Sequence, residues 1–390
     1  MSAPKRQGRD LAAPGADVLR ALFEHARPPT FGVEEEVMVL DAQTRDLSPC
    51  AGELMSKIGD ASGLKLELPA SQLEIVSPPR EDLAELAREL YEGRARLASA
   101  AAGVRLATSG AHPFAAAEGQ LNEGARYEHL AREYGPVIRR QLICGLHVHV
   151  GLSGAERVLA VYNALRAYLP ELAAMAANAP IYCGRDCGLA SVRPIVSGML
   201  PRQGIPPAYE SLRDYAADLA WGVRGGRFAS VREWWWEMRI HPELGTLEVR
   251  APDAQIRAID AAALVATVSG LVLWLAELYD AGQLAAPAAS WRIAENRWSA
   301  ARHGIHGEML DLSTGASVAT RQRVHSMLEL LRPCASAVGG GELIEHAHLL
   351  AESSGADEQR ASFASGGLDG LMEHLTSAFL ESHDAVRPLR

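Results

Sequence analysis

The segment FGVEEEVMVLD, residues 31–41, places three consecutive glutamates inside a run of strand-forming residues. Acidic residues are poor strand formers, and neighbouring carboxylates repel one another. Side chains alternate between the two faces of a strand, so Glu34 and Glu36 share one face with Met38, while Glu35 points to the other. Two carboxylates on one strand face suit a divalent cation, whose charge offsets their repulsion.

Three more glutamates stand alone within apolar strand-like segments. Glu67 lies in LKLEL, Glu74 in QLEIV and Glu248 in TLEVR. Buried acids are seldom left unpaired, although each of these residues taken singly is also explained by a half-exposed sheet on which it faces solvent. Taken together, the acids on predicted strands indicate one cation site. The five candidate ligands are Glu34, Glu36, Glu67, Glu74 and Glu248.

The segment GLHVHVG, residues 145–151, places His147 and His149 on one strand face. A His-x-His strand can bind zinc, whereas a lone strand histidine more often forms a hydrogen bond in the core. Beside several glutamates and few soft ligands, Mg²⁺ or Mn²⁺ fits this set better than zinc.

Thr246, Glu248 and Arg250 share a face of the segment TLEVR. An arginine beside a metal-binding glutamate can clamp a carboxylate or a phosphate, and the alternative is an ion pair with an acid on a neighbouring strand. The chain has neither a G-x-x-x-x-G-K-[ST] loop nor a G-x-S-x-G nucleophile elbow. The phosphates of a bound nucleotide would therefore be held by metal ions and basic side chains.

Hydrophobic periodicity predicts helices over residues 81–103, 153–177 and 255–282, and over most of the chain after residue 290. The strand-like segments do not alternate with these helices one by one. Instead LKLEL and QLEIV, and then WWWEMRI and TLEVR, form hairpin-like pairs. The pattern favours an α+β fold, an antiparallel sheet with helices packed on one side, over a doubly wound parallel sheet.

Composition narrows the classes of function. The net charge of −10 and the absence of a basic stripe argue against a nucleic-acid or membrane-surface partner. The apolar segment 261–276 falls short of the ~20 residues of a membrane span and predicts a buried core helix. Five cysteines, an odd number, without a secretory signal indicate reduced thiols and a cytoplasmic protein. We expect residues 1–25 to form a flexible tail before a single domain over 26–390.

The motifs resemble, as a set, the glutamate–cysteine ligase type 2 family of carboxylate–amine ligases. They follow one another over residues 31–307 and are FGVEEEVMVLD, PASQLEIVSPP, GLHVHVG, NAPIYCGRDCGLASVRP, WWWEMRIHPELGTLEVRAPDA and ENRWSAARHGIHG. The resemblance implies a glutamine synthetase-like catalytic fold, in which an antiparallel sheet forms a funnel. The chain departs from the family pattern in NAPIYCGRD and at Cys187, a segment that is a candidate contact for the amine substrate.

The resemblance also implies roles for the candidate site residues. The first implied Mg²⁺ (or Mn²⁺) site consists of Glu36, Glu67 and Glu74. The second consists of Glu34, His147 and Glu248. By the same resemblance His149 faces the phosphates of ATP and Arg250 faces the phosphoryl group or the acid substrate. Arg297 and Arg302 in ENRWSAARHG are candidate nucleotide or substrate contacts, and the alternative for both is a solvated helix face shared with Glu295.

The function implied by the resemblance is an ATP-dependent carboxylate–amine ligase. The γ-carboxylate of L-glutamate would attack the γ-phosphate of ATP, and an amine, L-cysteine by the family name, would displace phosphate from the resulting acyl phosphate. One alternative is a metal-dependent amide or ester hydrolase that uses His147, His149 and the glutamates. Another is a non-catalytic metal-binding protein. A homodimer would cover an exposed edge of the sheet.

Overall fold

The segment FGVEEEVMVLD lies within strand β1 (Thr30–Asp41) of the computed structural model, which describes residues 13–24 and 27–380. This strand belongs to a seven-stranded sheet. The other strands of the sheet are β2 Leu64–Leu66, β3 Gln72–Val76, β4 Val104–Ala107, β5 Leu146–Gly151, β8 Met238–His241 and β9 Thr246–Val249. Two short hairpins lie outside it, β6 Ile181–Tyr182 with β7 Arg185–Asp186, and β10 Glu308–Leu310 with β11 Ser317–Ala319.

Every pairing within the seven-stranded sheet is antiparallel. The strand order is β2-β3-β1-β5-β9-β8, and β4 pairs with the C-terminal half of β1. Both predicted hairpin pairs are confirmed, since β2 pairs with β3 and β8 pairs with β9. The predicted antiparallel α+β class is therefore correct.

Helices are present in each region where hydrophobic periodicity predicts them. The helices of the described residues are α1 Ala16–Phe23, α2 Ala51–Lys57, α3 Leu83–Ala100, α4 Ala125–Tyr134, α5 Pro136–Arg139, α6 Ala155–Leu165, α7 Leu169–Met175, α8 Arg193–Ser197, α9 Leu212–Arg224, α10 Ala258–Asp280, α11 Ser290–His303, α12 Thr320–Ser336, α13 Gly341–Glu352 and α14 Gly355–Ala378. Six of these helices, α1, α2, α4, α5, α8 and α9, lie outside the predicted ranges. The helix predicted over 153–177 is divided by a 3₁₀ turn at Arg166–Tyr168. Ser153, the first residue of that predicted range, lies outside α6, and its hydroxyl accepts a hydrogen bond from the Arg27 amide.

Helix α10 lies at the centre of the hydrophobic core, in contact with α3, α6, α12, α13 and β5. Its length and apolar composition would suffice to cross a membrane, but 78% of its most apolar 18-residue window is buried within the protein. This burial confirms the predicted core helix, because a helix that is apolar around most of its surface packs against apolar neighbours.

Helices pack on both faces of the sheet, which corrects the predicted one-sided arrangement. The face that carries Val33 and Val37 packs into the largest hydrophobic cluster. On the opposite face, Met38 and Leu40 pack in a second cluster with Leu371 of α14. Helix α14 therefore covers the end of the face on which Glu34 and Glu36 lie, because β1 turns apolar on that face after residue 36.

The predicted flexible tail over residues 1–25 is wrong for its described C-terminal part. Residues 16–23 form α1, and its Leu19 and Phe23 are buried in the largest hydrophobic cluster. Helix formation here follows from the apolar spacing of those two residues, which matches one turn of a helix. The rest of the predicted tail, residues 1–12 and 25, lies outside the described residues.

Glu35, the middle one of the three consecutive glutamates, forms a buried ion pair on the face of β1 opposite to Glu34 and Glu36. Its carboxylate and the Arg94 guanidinium of α3 are both fully buried, and they form two hydrogen bonds of 2.8 and 2.5 Å. Arg94 also donates to the carbonyl oxygens of Gln255 and Ile256, ahead of α10, and to that of Phe379, after α14. One buried ion pair thus joins the sheet to three separate segments of the chain.

The Arg94→Met substitution should lower the free energy of unfolding by about 3–5 kcal/mol, because it leaves the Glu35 carboxylate buried without its partner. Urea unfolding followed by circular dichroism measures this loss. The matched control is Arg20→Met, which removes one partner of the exposed Arg20–Glu156 pair and should cost far less, because solvent screens an exposed ion pair. Equal losses in the two variants would contradict this role of the buried pair.

Candidate active site

The strand register collects the predicted acids and imidazoles on one face of the sheet. Glu36 of β1 lies opposite Glu74 of β3, and Glu34 lies opposite His147 of β5. One strand further, His149 lies opposite Glu248 of β9. Directly opposed residues on neighbouring strands have adjacent side chains, so these pairs form one continuous polar surface.

A cavity of ≈ 330 Å³ opens over this surface. Its charged and imidazole-bearing lining residues are Glu34, Glu36, Lys65, Glu67, Glu74, Arg126, His147, Arg193, Arg232, Glu237, Arg239, His241 and Arg250. Two predicted site residues, His149 and Glu248, are buried directly beside the cavity. His149 Nε2 lies 3.6 Å from Glu34 Oε2, and Glu248 accepts a hydrogen bond from Arg250.

Three groups of side chains within the described residues bring their ligand atoms within 4.8 Å of one another. The first, Glu36 with Glu67 and Glu74, is the set predicted for one metal ion. The other two groups share Glu34, which stands with His147 and Glu74 in one and with His149 and Glu248 in the other. The sequence-based assignment grouped Glu248 with His147, whereas in the structure His149 is the histidine grouped with Glu34 and Glu248.

The two imidazoles are held in a form that suits a metal ligand. Burial, reinforced by the Arg250 charge, lowers the pKa of His147 to about 3, so its ring is neutral at physiological pH. Thr246 Oγ1 lies 3.0 Å from His149 Nδ1 and fixes that ring. The Nε2 atoms of both histidines are buried without a hydrogen-bond partner in the described part of the chain. A buried, unpartnered ring nitrogen beside carboxylates fits metal coordination.

The carboxylates of the first group repel one another in the absence of a cation. Burial, together with the neighbouring Glu67, raises the pKa of Glu36 to about 7. Burial, with Glu67 and Glu34, raises the pKa of Glu74 well above its usual range. Lys65 offsets part of this charge, since its Nζ lies 2.9 Å from Glu34 and 3.4 Å from Glu74. A divalent cation would supply the remaining positive charge.

The opposite side of the cavity carries arginines. Arg239 binds both oxygens of Glu248 at 2.6 and 3.0 Å, and Arg250 Nη1 binds Glu248 at 2.5 Å. Burial alone would raise the pKa of Glu248, but the two guanidinium groups hold it well below its usual range. Glu248 in turn fixes both arginines beside the cavity, where Arg250 lies 3.3 Å from His147 Nδ1.

Gly145 lies so close to neighbouring side chains of this site that its position leaves no room for a Cβ atom. Its amide donates a 2.6 Å hydrogen bond to Glu36, which fixes that carboxylate. A Cβ atom at this position would lie 2.2 Å from Arg193 Nη2 and 3.0 Å from His147 Nε2. Arg193 itself donates to the carbonyl oxygens of Arg250 and Ala251, and so fixes the backbone that follows β9.

Arg302 does not belong to this site. Its guanidinium is exposed and donates to the Gly188 carbonyl, and the residue is absent from the cavity lining. The structure therefore places Arg302 apart from the other predicted site residues, and its contact with a nucleotide stays a prediction. Arg297, one helical turn earlier, is buried and binds Glu237 in the cavity wall, so it is not the solvated residue of the alternative. Cys187 also lies outside the cavity lining.

Sequence reasoning missed several residues that line the cavity. Lys65 and Arg239 flank the predicted acids directly, because Lys65 lies opposite Glu74 and Arg239 lies opposite Glu248. Strand alternation, applied to WWWEMRIH as it was to TLEVR, would have placed Glu237, Arg239 and His241 on one face. Arg193 carried no such signal, since it lies at the start of the short helix α8.

This arrangement of carboxylates, imidazoles and arginines on an antiparallel sheet is chemically suited to cations and an anionic ligand, the combination that an ATP-dependent ligase requires. A sequence model described as glutamate-cysteine ligase family 2 (GCS2) matches residues 30–375. The chain belongs to this family. It is an ATP-dependent ligase that forms carbon–nitrogen bonds, and the hydrolase alternative has no support.

Individual relatives agree with the family assignment. A Rubrobacter xylanophilus protein named "Putative glutamate--cysteine ligase 2-3" is 38% identical over 91% of this chain and 98% of its own length. A Thermobifida fusca protein named "Putative glutamate--cysteine ligase 2" is 32% identical over 93% of this chain and 94% of its own length. The crystal structure of glutamate–cysteine ligase from Francisella tularensis in complex with AMP aligns with this chain at a TM-score of 0.67 and 11% sequence identity. The alignment covers 94% of this chain and 91% of the Francisella chain. This last similarity establishes the fold.

The raised carboxyl pKa values predict how pH affects stability. Glu36 has a pKa of about 7 in the folded protein against an ordinary value of 4.5. Without a divalent cation its contribution to the free energy of unfolding is complete below pH 4.5 and is lost as pH rises to about 7, a change of about 3 kcal/mol. Mg²⁺ favours the ionised carboxylates, so the increase in melting temperature that it causes should be larger at about pH 8 than at about pH 5.

Differential scanning fluorimetry with and without Mg²⁺ measures this dependence, and Glu36→Gln is the control that should reduce it. An Mg²⁺-induced increase that is equal at both pH values, or larger at the lower one, would contradict the assignment of the carboxylates as cation ligands.

Proposed function

We propose that this chain joins the γ-carboxylate of L-glutamate to an amine, with L-cysteine as the first candidate, in a reaction that converts ATP to ADP and phosphate. The observation that carries this proposal is the convergence of three metal-capable groups and the Arg250 guanidinium on one cavity. A reaction that transfers a phosphoryl group to a carboxylate needs this combination, because it brings several anions into contact.

The residues that would hold Mg²⁺ (or Mn²⁺) are Glu36, Glu67 and Glu74 in one group, and Glu34, His149 and Glu248, with His147 beside Glu34, in the other. Bound divalent cations offset phosphate charge and stabilise the charge that develops during transfer. The neutral His147 imidazole supports this placement, and so do the Nε2 atoms of His147 and His149, which have no hydrogen-bond partner among the described residues.

Arg250 binds the anionic group that reacts. Of the three guanidinium nitrogens only Nη1 has hydrogen-bond partners within the described residues, which leaves Nε and Nη2 for a ligand. Glu248 and Arg193 hold Arg250 in place, one through the side chain and the other through the backbone carbonyl. A preorganised guanidinium of this kind can bind the substrate carboxylate or the transferred phosphoryl group with fork geometry.

The reaction proceeds in two steps. A carboxylate oxygen of the acid attacks the γ-phosphorus of ATP, and the bond from that phosphorus to the bridging oxygen breaks, giving an acyl phosphate and ADP. The amine nitrogen then attacks the acyl carbon and phosphate leaves, while the amine loses a proton. Leu130, Ile138 and Leu200 form an apolar part of the cavity wall.

Three further features belong to this proposal. The acidic and imidazole-bearing face of the sheet supports a relation to the glutamine synthetase fold, with the sheet forming a funnel. The five cysteines, none in a disulfide, support a cytoplasmic location. A homodimer would protect the outer strands of the sheet from other pairings.

Release of ADP from ATP and Mg²⁺ tests the function directly. We expect release that requires both L-glutamate and an amine, and a panel of amines that includes L-cysteine identifies the acceptor. Glu36→Gln should reduce kcat by about a hundredfold or more, because it removes a charge that holds a cation at the reacting phosphate. Glu53→Gln, at an exposed glutamate of α2, is the control that should retain the wild-type rate.

Release of ADP that is independent of the acid, or full activity in Glu36→Gln, would contradict the proposed mechanism. The amine that gives the highest kcat/KM in the same assay identifies the second substrate.

A further inference from the structure

We infer that Glu237, held by Arg297, recognises the ammonium group of the acid substrate, so that the enzyme selects an α-amino acid over a simple diacid. The inference rests on the proposed function and extends it, because it assigns a specificity-determining residue to the same cavity. It starts from a carboxylate in the cavity wall, Glu237, that the two-step reaction does not use.

Glu237 lies directly across from Arg250. Its carbonyl oxygen accepts a 2.8 Å hydrogen bond from the Arg250 amide, which continues the pairing of β8 with β9. Glu237, Arg239 and His241 alternate along this strand, and all three line the cavity. The Glu237 side chain therefore lies one strand beyond Arg250, on the side away from Glu34 and β1.

The Glu237 carboxylate is buried but is not committed to a metal group. It belongs to none of the three groups of metal-capable side chains found among the described residues. Its side chain is 10% exposed, and Arg297 Nε lies 2.8 and 2.9 Å from its two oxygens. A buried carboxylate is costly unless paired, and the Arg297 guanidinium supplies that partner through a single N–H donor. An ionised carboxylate has about four acceptor positions, so both oxygens can still accept hydrogen bonds from a ligand.

The charges around Glu237 specify the kind of ligand. Neighbouring Arg239 and Arg250 favour a carboxylate or a phosphate, whereas Glu237 is an acid that favours a cation. A ligand that carries a carboxylate and, a few bonds away, an ammonium group satisfies both. Adjacent strands lie about 4.8 Å apart, so a γ-carboxylate bound at Arg250 leaves the α-ammonium group of the same molecule within reach of the next strand.

The test compares L-glutamate with glutarate, the same diacid without its amino group. Wild-type enzyme should prefer L-glutamate in kcat/KM for ADP release. Glu237→Gln should lower the ratio of the two kcat/KM values by about tenfold or more, since a neutral amide loses the charge-assisted bond to an ammonium group. The larger part of that loss should appear as a raised KM for L-glutamate, because the ammonium group takes no part in the chemistry.

Glu171→Gln is the matched control. Glu171 is also a buried carboxylate bound by a single arginine, Arg323, but this pair joins α7 to α12 outside the cavity lining. Both variants remove one charge from a buried pair, so both lower stability. Only Glu237→Gln should change the preference between the two acids.

Isothermal titration of each acid into the wild-type protein, in the presence of Mg²⁺ and a non-hydrolysable ATP analogue, separates this inference from the proposed function. Tighter binding of L-glutamate than of glutarate, lost in Glu237→Gln, supports the inference even if no amine is ligated. Equal binding of the two acids by wild type overturns it, and so does a preference that Glu237→Gln retains. Absence of ADP release with every acid and amine contradicts the proposed function alone.

Discussion

Mutual repulsion among buried carboxylates is the constraint on which this site depends. Glu36, Glu67 and Glu74 lie close enough together that burial and neighbouring charge raise their pKa values. A protein interior does not tolerate such a group without compensating positive charge. Lys65 supplies part of that charge, and the unpartnered Nε2 atoms of the two histidines complete a surface that suits divalent cations.

The sheet holds these groups in register because its opposite face is anchored independently. Glu35 alternates with the two glutamates of the site and forms the buried pair with Arg94, which also binds the segments next to α10 and α14. Consecutive glutamates on β1 therefore serve two separate purposes. The face that lines the cavity can carry repelling charges, since the free energy that holds β1 in place comes largely from the other face and from the core around α10.

Strand alternation made the site largely predictable from sequence, because a glutamate inside an apolar strand is anomalous wherever it occurs. Alternation alone could not choose between His147 and His149 as the partner of Glu248, which depends on the register between β5 and β9. Helical periodicity could not decide which arginine of α11 faces the protein interior, and the structure buries Arg297 while Arg302 is exposed. The burial of α1 and the cover provided by α14 depend on contacts between distant segments, which local periodicity does not encode.

The most direct test of the central claim is a crystal structure with Mn²⁺ and a non-hydrolysable ATP analogue, in which anomalous scattering locates the metal. We expect one Mn²⁺ peak coordinated by Glu36, Glu67 and Glu74, and a second coordinated by Glu34 together with His149 or His147. The γ-phosphate should lie within reach of Arg250. A nucleotide bound in the cavity with no anomalous peak at the glutamates, or Mn²⁺ bound only elsewhere, would contradict the claim that these carboxylates are there to hold cations.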